Sequence, residues 1–275
     1  VKLGVFAGGG PFPRRVADAW AASGREVFIV CIRDFADPAL FNGYPLMTER
    51  LGAAGSIMRR LREEGVTHVV LSGRARRPSL LSILPDAWTA RMIARIGRAA
   101  FSGDDTLLRS VAKVLRDEGF EVVSPSSILG GVLVEAGLLT GPEPDAVARE
   151  DIARGIAVLA ALSPQDVGQA VVVQQGLVLG IEATEGTDGL LARAGEQRRD
   201  GPGAVLVKLP KRGQDMRLDP PVIGPVTIEG AAAAGIRGIA IEAAGTIIAD
   251  RAQTIERANA MGIFILAVDS PTFLP

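Results

Sequence analysis

Two residue types that carry much of enzyme chemistry are almost missing from this 275-residue chain, which has one cysteine, Cys31, and one histidine, His68. A single cysteine excludes an internal disulfide and a multi-cysteine metal site, and fits a reducing compartment such as the cytoplasm. A single histidine excludes zinc sites that need two, and leaves a Ser-His-Asp triad no other base. His68 lies in the run Val66-Thr67-His68-Val69-Val70-Leu71 and reads as a strand residue rather than a catalyst. An excess of one charge is also lacking: the net charge is −1, so no global basic field draws the chain to DNA or RNA. No window holds the roughly 18 uninterrupted apolar residues of a membrane span, and the start shows no charged-then-apolar signal pattern. A membrane role is therefore expected to be peripheral.

What the chain does have is apolar bulk. Hydrophobic residues make up 48% and charged residues 22%, enough for a sizeable core, and the length suits two modest domains. The first half alternates strand and helix signals. A strand over Leu3 to Ala7 precedes a helix through Trp20, and the valine- and isoleucine-rich run Glu26 to Ile32 reads as a buried parallel strand. A helix-strand pair follows from Glu49 through Leu71, then helices near Ala87 to Ala100 and Asp104 to Glu118, and a strand from Phe120 to Ser124. This rhythm predicts an α/β protein whose N-terminal lobe, residues 1–140, is a Rossmann-like parallel sheet. Thr140-Gly141-Pro142-Glu143-Pro144-Asp145 combines helix breakers with polar residues, so residues 141–146 are expected to form a linker. The C-terminal lobe, residues 147–275, reads as mixed α/β. It has an alanine-rich helix from Val147 to Leu162 and a hairpin turning at Gln175-Gly176, followed by strands at Ala204 to Lys208, Gly238 to Ala243 and Ile263 to Val268. Helices are expected near Thr227 to Ala234 and Asp250 to Met261. The site is expected in the cleft between the lobes.

With histidine and cysteine removed, acid-base work falls to carboxylates, whose oxygens suit a hard cation such as magnesium. The turn Ala7-Gly8-Gly9-Gly10-Pro11 lets backbone N–H groups approach a phosphate at a helix start, or serves only as a tight turn. The dinucleotide pattern begun by Gly8 and Gly10 has Pro13 in place of its third glycine, and Asp34 sits where a ribose-binding acid would. A nicotinamide-dependent oxidoreductase is thus one rival reading. The basic run Gly73-Arg74-Ala75-Arg76-Arg77 follows a strand; Arg76 reads as solvated and Arg74 stays open. Gly103-Asp104-Asp105 precedes a helix, where one aspartate serves as an N-cap and the second needs another account. Ile181-Glu182-Ala183-Thr184-Glu185-Gly186-Thr187-Asp188 places three carboxylates at a strand exit, more than capping requires. Lys208-Leu209-Pro210-Lys211-Arg212-Gly213-Gln214-Asp215-Met216-Arg217-Leu218-Asp219-Pro220-Pro221 also follows a strand, and its charge beside proline and glycine suits an ordered functional loop. A non-catalytic sugar-nucleotide or acyl-lipid carrier is the second rival reading, in which these acids merely cap and solvate.

Taken together, Ala7-Gly8-Gly9-Gly10, Gly103-Asp104-Asp105-x-Leu107-Leu108, the Gln175 to Asp188 segment and Lys208-x-x-Lys211-x-x-Gln214-Asp215-x-Arg217-x-Asp219-x-Pro221-x-x-Gly224 resemble the LpxI-type UDP-2,3-diacylglucosamine pyrophosphatases over nearly the whole chain. Pro220 and Val226 depart from that pattern, and position 226 is assigned no role. The resemblance implies magnesium-dependent hydrolysis of UDP-2,3-diacylglucosamine to UMP and 2,3-diacylglucosamine 1-phosphate (lipid X) in lipid A synthesis, on the cytoplasmic side of a bacterial inner membrane. The mechanism it suggests uses Asp215 and Asp219, with Glu185 and Asp188, to hold Mg2+ and orient a water for in-line attack. Lys208 and Arg217 neutralise developing charge. Gly8, Gly9, Gly10, Asp104, Asp105, Glu182, Thr187 and Gln214 are expected to contact the substrate. Weak docking on the bilayer is expected from apolar walls that take acyl chains. The oligomeric state is left open, a homodimer being one option.

Overall fold

A computed structural model describes residues 1–73, 83–97, 104–129, 134–211, 214 and 220–273, and the chain divides between residues 131 and 132 into two compact units. In the first unit the strands are Lys2–Ala7 (β1), Glu26–Ile32 (β2), Leu46–Glu49 (β3), His68–Ser72 (β4) and Glu121–Val122 (β5). Among the described residues they form one parallel sheet in the order β3-β2-β1-β4-β5. The helices are Phe12–Ala22 (α1), Ala54–Glu63 (α2), Ala87–Ile96 (α3), Asp104–Asp117 (α4) and Pro125–Ile128 (α5). A parallel sheet is covered on both faces, which is why β2 reads as an unbroken apolar run. Ile29 and Cys31 pack with Val5, Val16 and Trp20 on one side, while Phe28 and Val30 meet Ile57, Met58 and Leu61 on the other. Helix α1 turns Val16, Ala17 and Trp20 inward, one stripe of an amphipathic helix. Burial in that core, with Asp37 adding to it, raises the Cys31 thiol above its ordinary range. The strand expected over Phe120 to Ser124 keeps only its centre, and β3 is an addition that the sequence does not announce.

The second unit begins with Gly137–Thr140 (β6) and Ala146–Leu162 (α6), then Ala170–Gln174 (β7), Leu177–Ile181 (β8), Gly186–Glu196 (α7) and Ala204–Lys208 (β9). It continues through Val222–Ile223 (β10), Pro225–Ala233 (α8), Ile236–Glu242 (β11), Ile247–Ile248 (β12), Arg251–Ala260 (α9), Phe264–Val268 (β13) and Ser270–Phe273 (α10). Among the described residues its main sheet runs β6-β13-β11-β9-β7-β8, and β10 pairs with β12. One face carries Val171, Val205 and Val207 under Ile152 and Ile156 of α6; the other carries Val172, Leu206 and Ile241 under Leu190, Leu191 and Ile228 of α7 and α8. The unit starts ahead of the 141–146 segment expected to link the lobes, and that segment is docked rather than free. Gly141, at φ 78°, lies against the Phe264 backbone, where a Cβ would come within 2.6 Å. Asp145 caps α6 by accepting from Ala148 N at 2.7 Å and binds Arg237 through both carboxylate oxygens. The breakers in this segment serve a tight corner.

The β7–β8 hairpin turns at Gln175 and Gly176, both at positive φ (49° and 78°), as its sequence predicts. What holds the turn is Asp151 of α6, 1% exposed. It accepts from Gln175 N at 3.0 Å and from Gly176 N at 2.6 Å. Asp151→Ala removes a charged acceptor from two N–H groups, so stability is expected to fall by about 2–3 kcal/mol. Urea unfolding checks this through the midpoint at unchanged m-value. A loss below about 0.5 kcal/mol, the range of ordinary surface substitutions, would contradict it.

Candidate active site

Strand direction assembles the site. Strand β7 runs antiparallel to both β8 and β9, and β9, β11 and β13 are mutually parallel, so β8, β9, β11 and β13 all end at one edge of the sheet. Each strand delivers a charged residue there: Glu182 just after β8, Lys208 closing β9, Glu242 closing β11 and Asp269 just after β13. The carboxyl ends of strands are where open α/β sheets bind ligands, because the chain there is free to form loops around a crevice.

Three of the expected site residues meet directly. Thr187, in the first turn of α7, donates its hydroxyl to Glu182 Oε1 at 2.7 Å and accepts from Lys208 Nζ at 2.8 Å. Glu182 Oε2 accepts from Gln169 N at 2.7 Å. Lys208 Nζ also donates to the Val222 carbonyl at 2.9 Å. Both charged groups are nearly enclosed, Glu182 at 8% and Lys208 at 9% exposure, so the hydroxyl between them lets cation and carboxylate share a low-dielectric pocket. Gln214 is 8% exposed and closes a turn on Lys211, its Oε1 accepting from Lys211 N at 2.8 Å. Lys211 in turn pairs with Asp166.

Two more expected residues, Glu185 and Asp188, lie at the start of α7. Glu185 pairs with Arg193, eight residues on along α7. Its own backbone N–H and then the Arg193 guanidinium hold its carboxyl below the usual carboxylate range. Asp188 borders an open groove of about 660 Å³ between α7 and α8, with Leu191, Val226 and Ala233 along it. Among the described residues no three acidic, histidine or cysteine side chains are gathered to hold a metal ion. Asp215, Arg217 and Asp219 lie outside the described residues, as do Arg74, Arg76, Arg77 and Gly103. The backbone of Asp104 and Asp105 opens α4.

In the first unit, Gly8 N donates to the Ser72 carbonyl at 2.8 Å and Gly10 adopts φ 88° with open space where a Cβ would lie. The turn is closely packed from the other side, since a Cβ on Gly73 would meet Pro13 at 2.6 Å and Gly8 at 2.9 Å. Pro11 and Pro13 bring no N–H to the start of α1, leaving Phe12 and Arg14 as its early donors. Asp34 occupies a left-handed turn residue at φ 72°. Sequence reasoning passed over Glu242 and Thr246. An acid at a strand end carries no signal until its burial is known, and here the Glu242 Oε2 and Thr246 Oγ1 atoms are buried without a hydrogen-bond partner among the described residues.

Comparison with known proteins bears on the whole chain. Residues 2–132 match the LpxI N-terminal domain and residues 135–266 the LpxI C-terminal domain. A Caulobacter vibrioides protein named UDP-2,3-diacylglucosamine pyrophosphatase LpxI is 38% identical over 279 residues, spanning 98% of each chain. Among solved structures, the chain is similar to CobK precorrin-6A reductase at 16% identity and a TM-score of 0.34, over 97% of this chain and 87% of that one. It is similar to a Thermus thermophilus UDP-glucose 4-epimerase at 18% identity and a TM-score of 0.30, over 53% and 41%. Overlaps this low carry no argument. The two domain matches and the full-length relative do, and the chain belongs to the LpxI family.

Proposed function

We propose that the protein hydrolyses the pyrophosphate of UDP-2,3-diacylglucosamine, releasing UMP and 2,3-diacylglucosamine 1-phosphate in lipid A biosynthesis. The observation that carries this reading is the full-length relative of that name, 38% identical. In the reaction a water adds to one phosphorus, the bridging P–O bond breaks, and the two phosphate monoesters separate. Negative charge grows on the oxygens of the attacked and leaving groups. Lys208 is fixed beforehand by Thr187 and the Val222 carbonyl, so its charge needs no reorganisation as that negative charge develops. The same contact ties Lys208 to Val222, three residues beyond Asp219 in the sequence. In the first unit, the Gly8 to Gly10 turn offers backbone N–H groups to a phosphate. In the second unit, Glu182, Thr187 and Gln214 are the proposed substrate contacts.

Magnesium is part of this reading. The donors at the carboxyl edge are oxygens, which suit a hard cation, and a buried carboxylate oxygen without a partner is present among them. Asp215 and Asp219 would hold the ion; bound there, it would supply charge neutralisation for the pyrophosphate. Glu185 joins them only by releasing Arg193, and Asp188 completes the set proposed from the sequence. The expected outcome is that UMP release stops in excess chelator and returns with added Mg2+. Undiminished turnover in chelator would remove the metal from the account while leaving hydrolysis standing.

The oxidoreductase reading is not favoured, since Pro13 replaces the third glycine of the dinucleotide turn. The reaction is proposed to take place at the cytoplasmic face of the membrane, because the two acyl chains of the substrate partition into a bilayer. Among the described residues no helix is long and apolar enough to cross one.

A further inference from the structure

Both stems of the loop between Lys208 and Val222 pack on one turn, the segment 242–246 that leaves β11. On the outgoing stem, a Cβ placed on Gly245 would lie 3.5 Å from Pro210 Cγ. On the returning stem, Ile247 N donates to the Pro221 carbonyl at 2.8 Å, and the parallel pairing of β10 with β12 continues from there. Two polar groups in this turn are unsatisfied among the described residues. Glu242 uses Oε1 to accept from Ser270 N at 3.3 Å, but its Oε2 is buried with no hydrogen-bond donor. Thr246 is 3% exposed and its Oγ1 is likewise buried and without a partner.

Burying a carboxylate oxygen without a donor or a cation is costly, and such an oxygen calls for a compensating partner such as a water or an ion. The stem of the side chain is closely packed, since a Cβ on Gly245 would be 2.8 Å from Glu242 Cγ. A carboxylate and a hydroxyl in one turn are hard oxygen donors, and the ligand class they suit is a hydrated divalent cation.

We propose that Glu242, assisted by Thr246, is a positioning residue of the hydrolytic site that holds the divalent cation directly or through one of its waters. This inference rests on the magnesium-dependent reading above. It gives the ion a described carboxylate with an unused oxygen, whereas the Glu185 carboxylate is engaged by Arg193 and both Glu182 oxygens accept hydrogen bonds.

The test uses Mn2+ as the probe, titrated by electron paramagnetic resonance into the full-length wild type, E242Q and T246V, with and without UMP. Wild type is expected to bind Mn2+, with E242Q weaker by about tenfold or more and T246V weaker by less, in line with the effect of losing a group that orients or completes a metal shell. The Mg2+ concentration for half-maximal UMP release should rise in parallel for E242Q, with kcat largely restored at saturating Mg2+. A merely structural role would move the melting temperature and leave the Mg2+ dependence alone. Equal Mn2+ affinity and equal Mg2+ dependence in wild type and E242Q would overturn the proposal. So would a wild type that binds no Mn2+ yet releases UMP in chelator, an outcome that spares the hydrolytic function. Absence of UMP release by the wild type under any metal would instead overturn the reading on which the proposal rests, and the proposal with it. If E242Q melts below the assay temperature, E242D carries the measurement: it keeps the charge but withdraws it by one methylene, so weakened Mn2+ binding supports the proposal and unchanged binding overturns it.

Discussion

Lys208→Met is expected to lower kcat for UMP release by about 10²–10³-fold, the effect seen when one preorganised electrostatic group is removed from an enclosed site. The side chain is 9% exposed, so its charge acts with little screening by water, and its hydrogen bonds to Thr187 and the Val222 carbonyl hold it in place before any substrate arrives. KM is expected to change far less than kcat, because the charge it answers is greatest in the transition state. Methionine keeps the length and the apolar stem, so the variant should still fold. It nevertheless leaves Thr187 and Glu182 without their cation, and a modest drop in melting temperature is expected. Lys208→Arg should recover little, since a planar guanidinium does not present its donors as an ammonium does. A well-folded Lys208→Met with wild-type kcat would remove this residue from the chemistry.

The largest effect on stability is expected at a residue with no side chain. Gly238 lies in β11 opposite Phe264 of β13, and a Cβ at that position would stand 1.9 Å from the Phe264 ring. The ring is 2% exposed and packs with Ile152, Val207 and Leu266, so it has no room to retreat. Gly238→Ala is therefore expected to cost about 3 kcal/mol, at the upper end for overpacking. The cause can be separated from any general intolerance by adding Phe264→Leu. That change alone creates a cavity and destabilises, yet combined with Gly238→Ala it should give a protein that melts higher than Gly238→Ala by itself. Additive losses in the double variant would show that the ring is not the obstacle.

These two residues also show what was readable before the structure. Lys208 could be singled out because it ends a valine-rich strand and opens a loop dense in charge, a local pattern with a local cause. The hairpin at Gln175-Gly176 and the helix from Ala146 to Leu162 were legible for the same reason. Gly238 was not, because its role is set by a ring 26 residues further along the chain. Strand β6 was missed because Gly-Leu-Leu-Thr has neither length nor alternation, and its strand character comes from pairing with β13 more than a hundred residues away. The acids divide along the same line. Glu182 stands out in the sequence by its place at a strand exit, whereas its hydrogen bond to Thr187, and through Thr187 its link to Lys208, appear only in the folded chain. Asp151 in an alanine-rich helix gave no sign of clamping a turn, and Glu242 gave none of its buried oxygen, since both properties exist only once the sheet has brought distant segments together.

The measurement that bears most directly on the account is hydrolysis of UDP-2,3-diacylglucosamine by the purified protein in detergent micelles with Mg2+, followed by separation of the products. UMP and 2,3-diacylglucosamine 1-phosphate in equal amounts, formed catalytically and reduced at least a hundredfold in Lys208→Met, are the expected result. Intact substrate after prolonged incubation with folded protein, or cleavage that yields UDP and the free sugar, would contradict it.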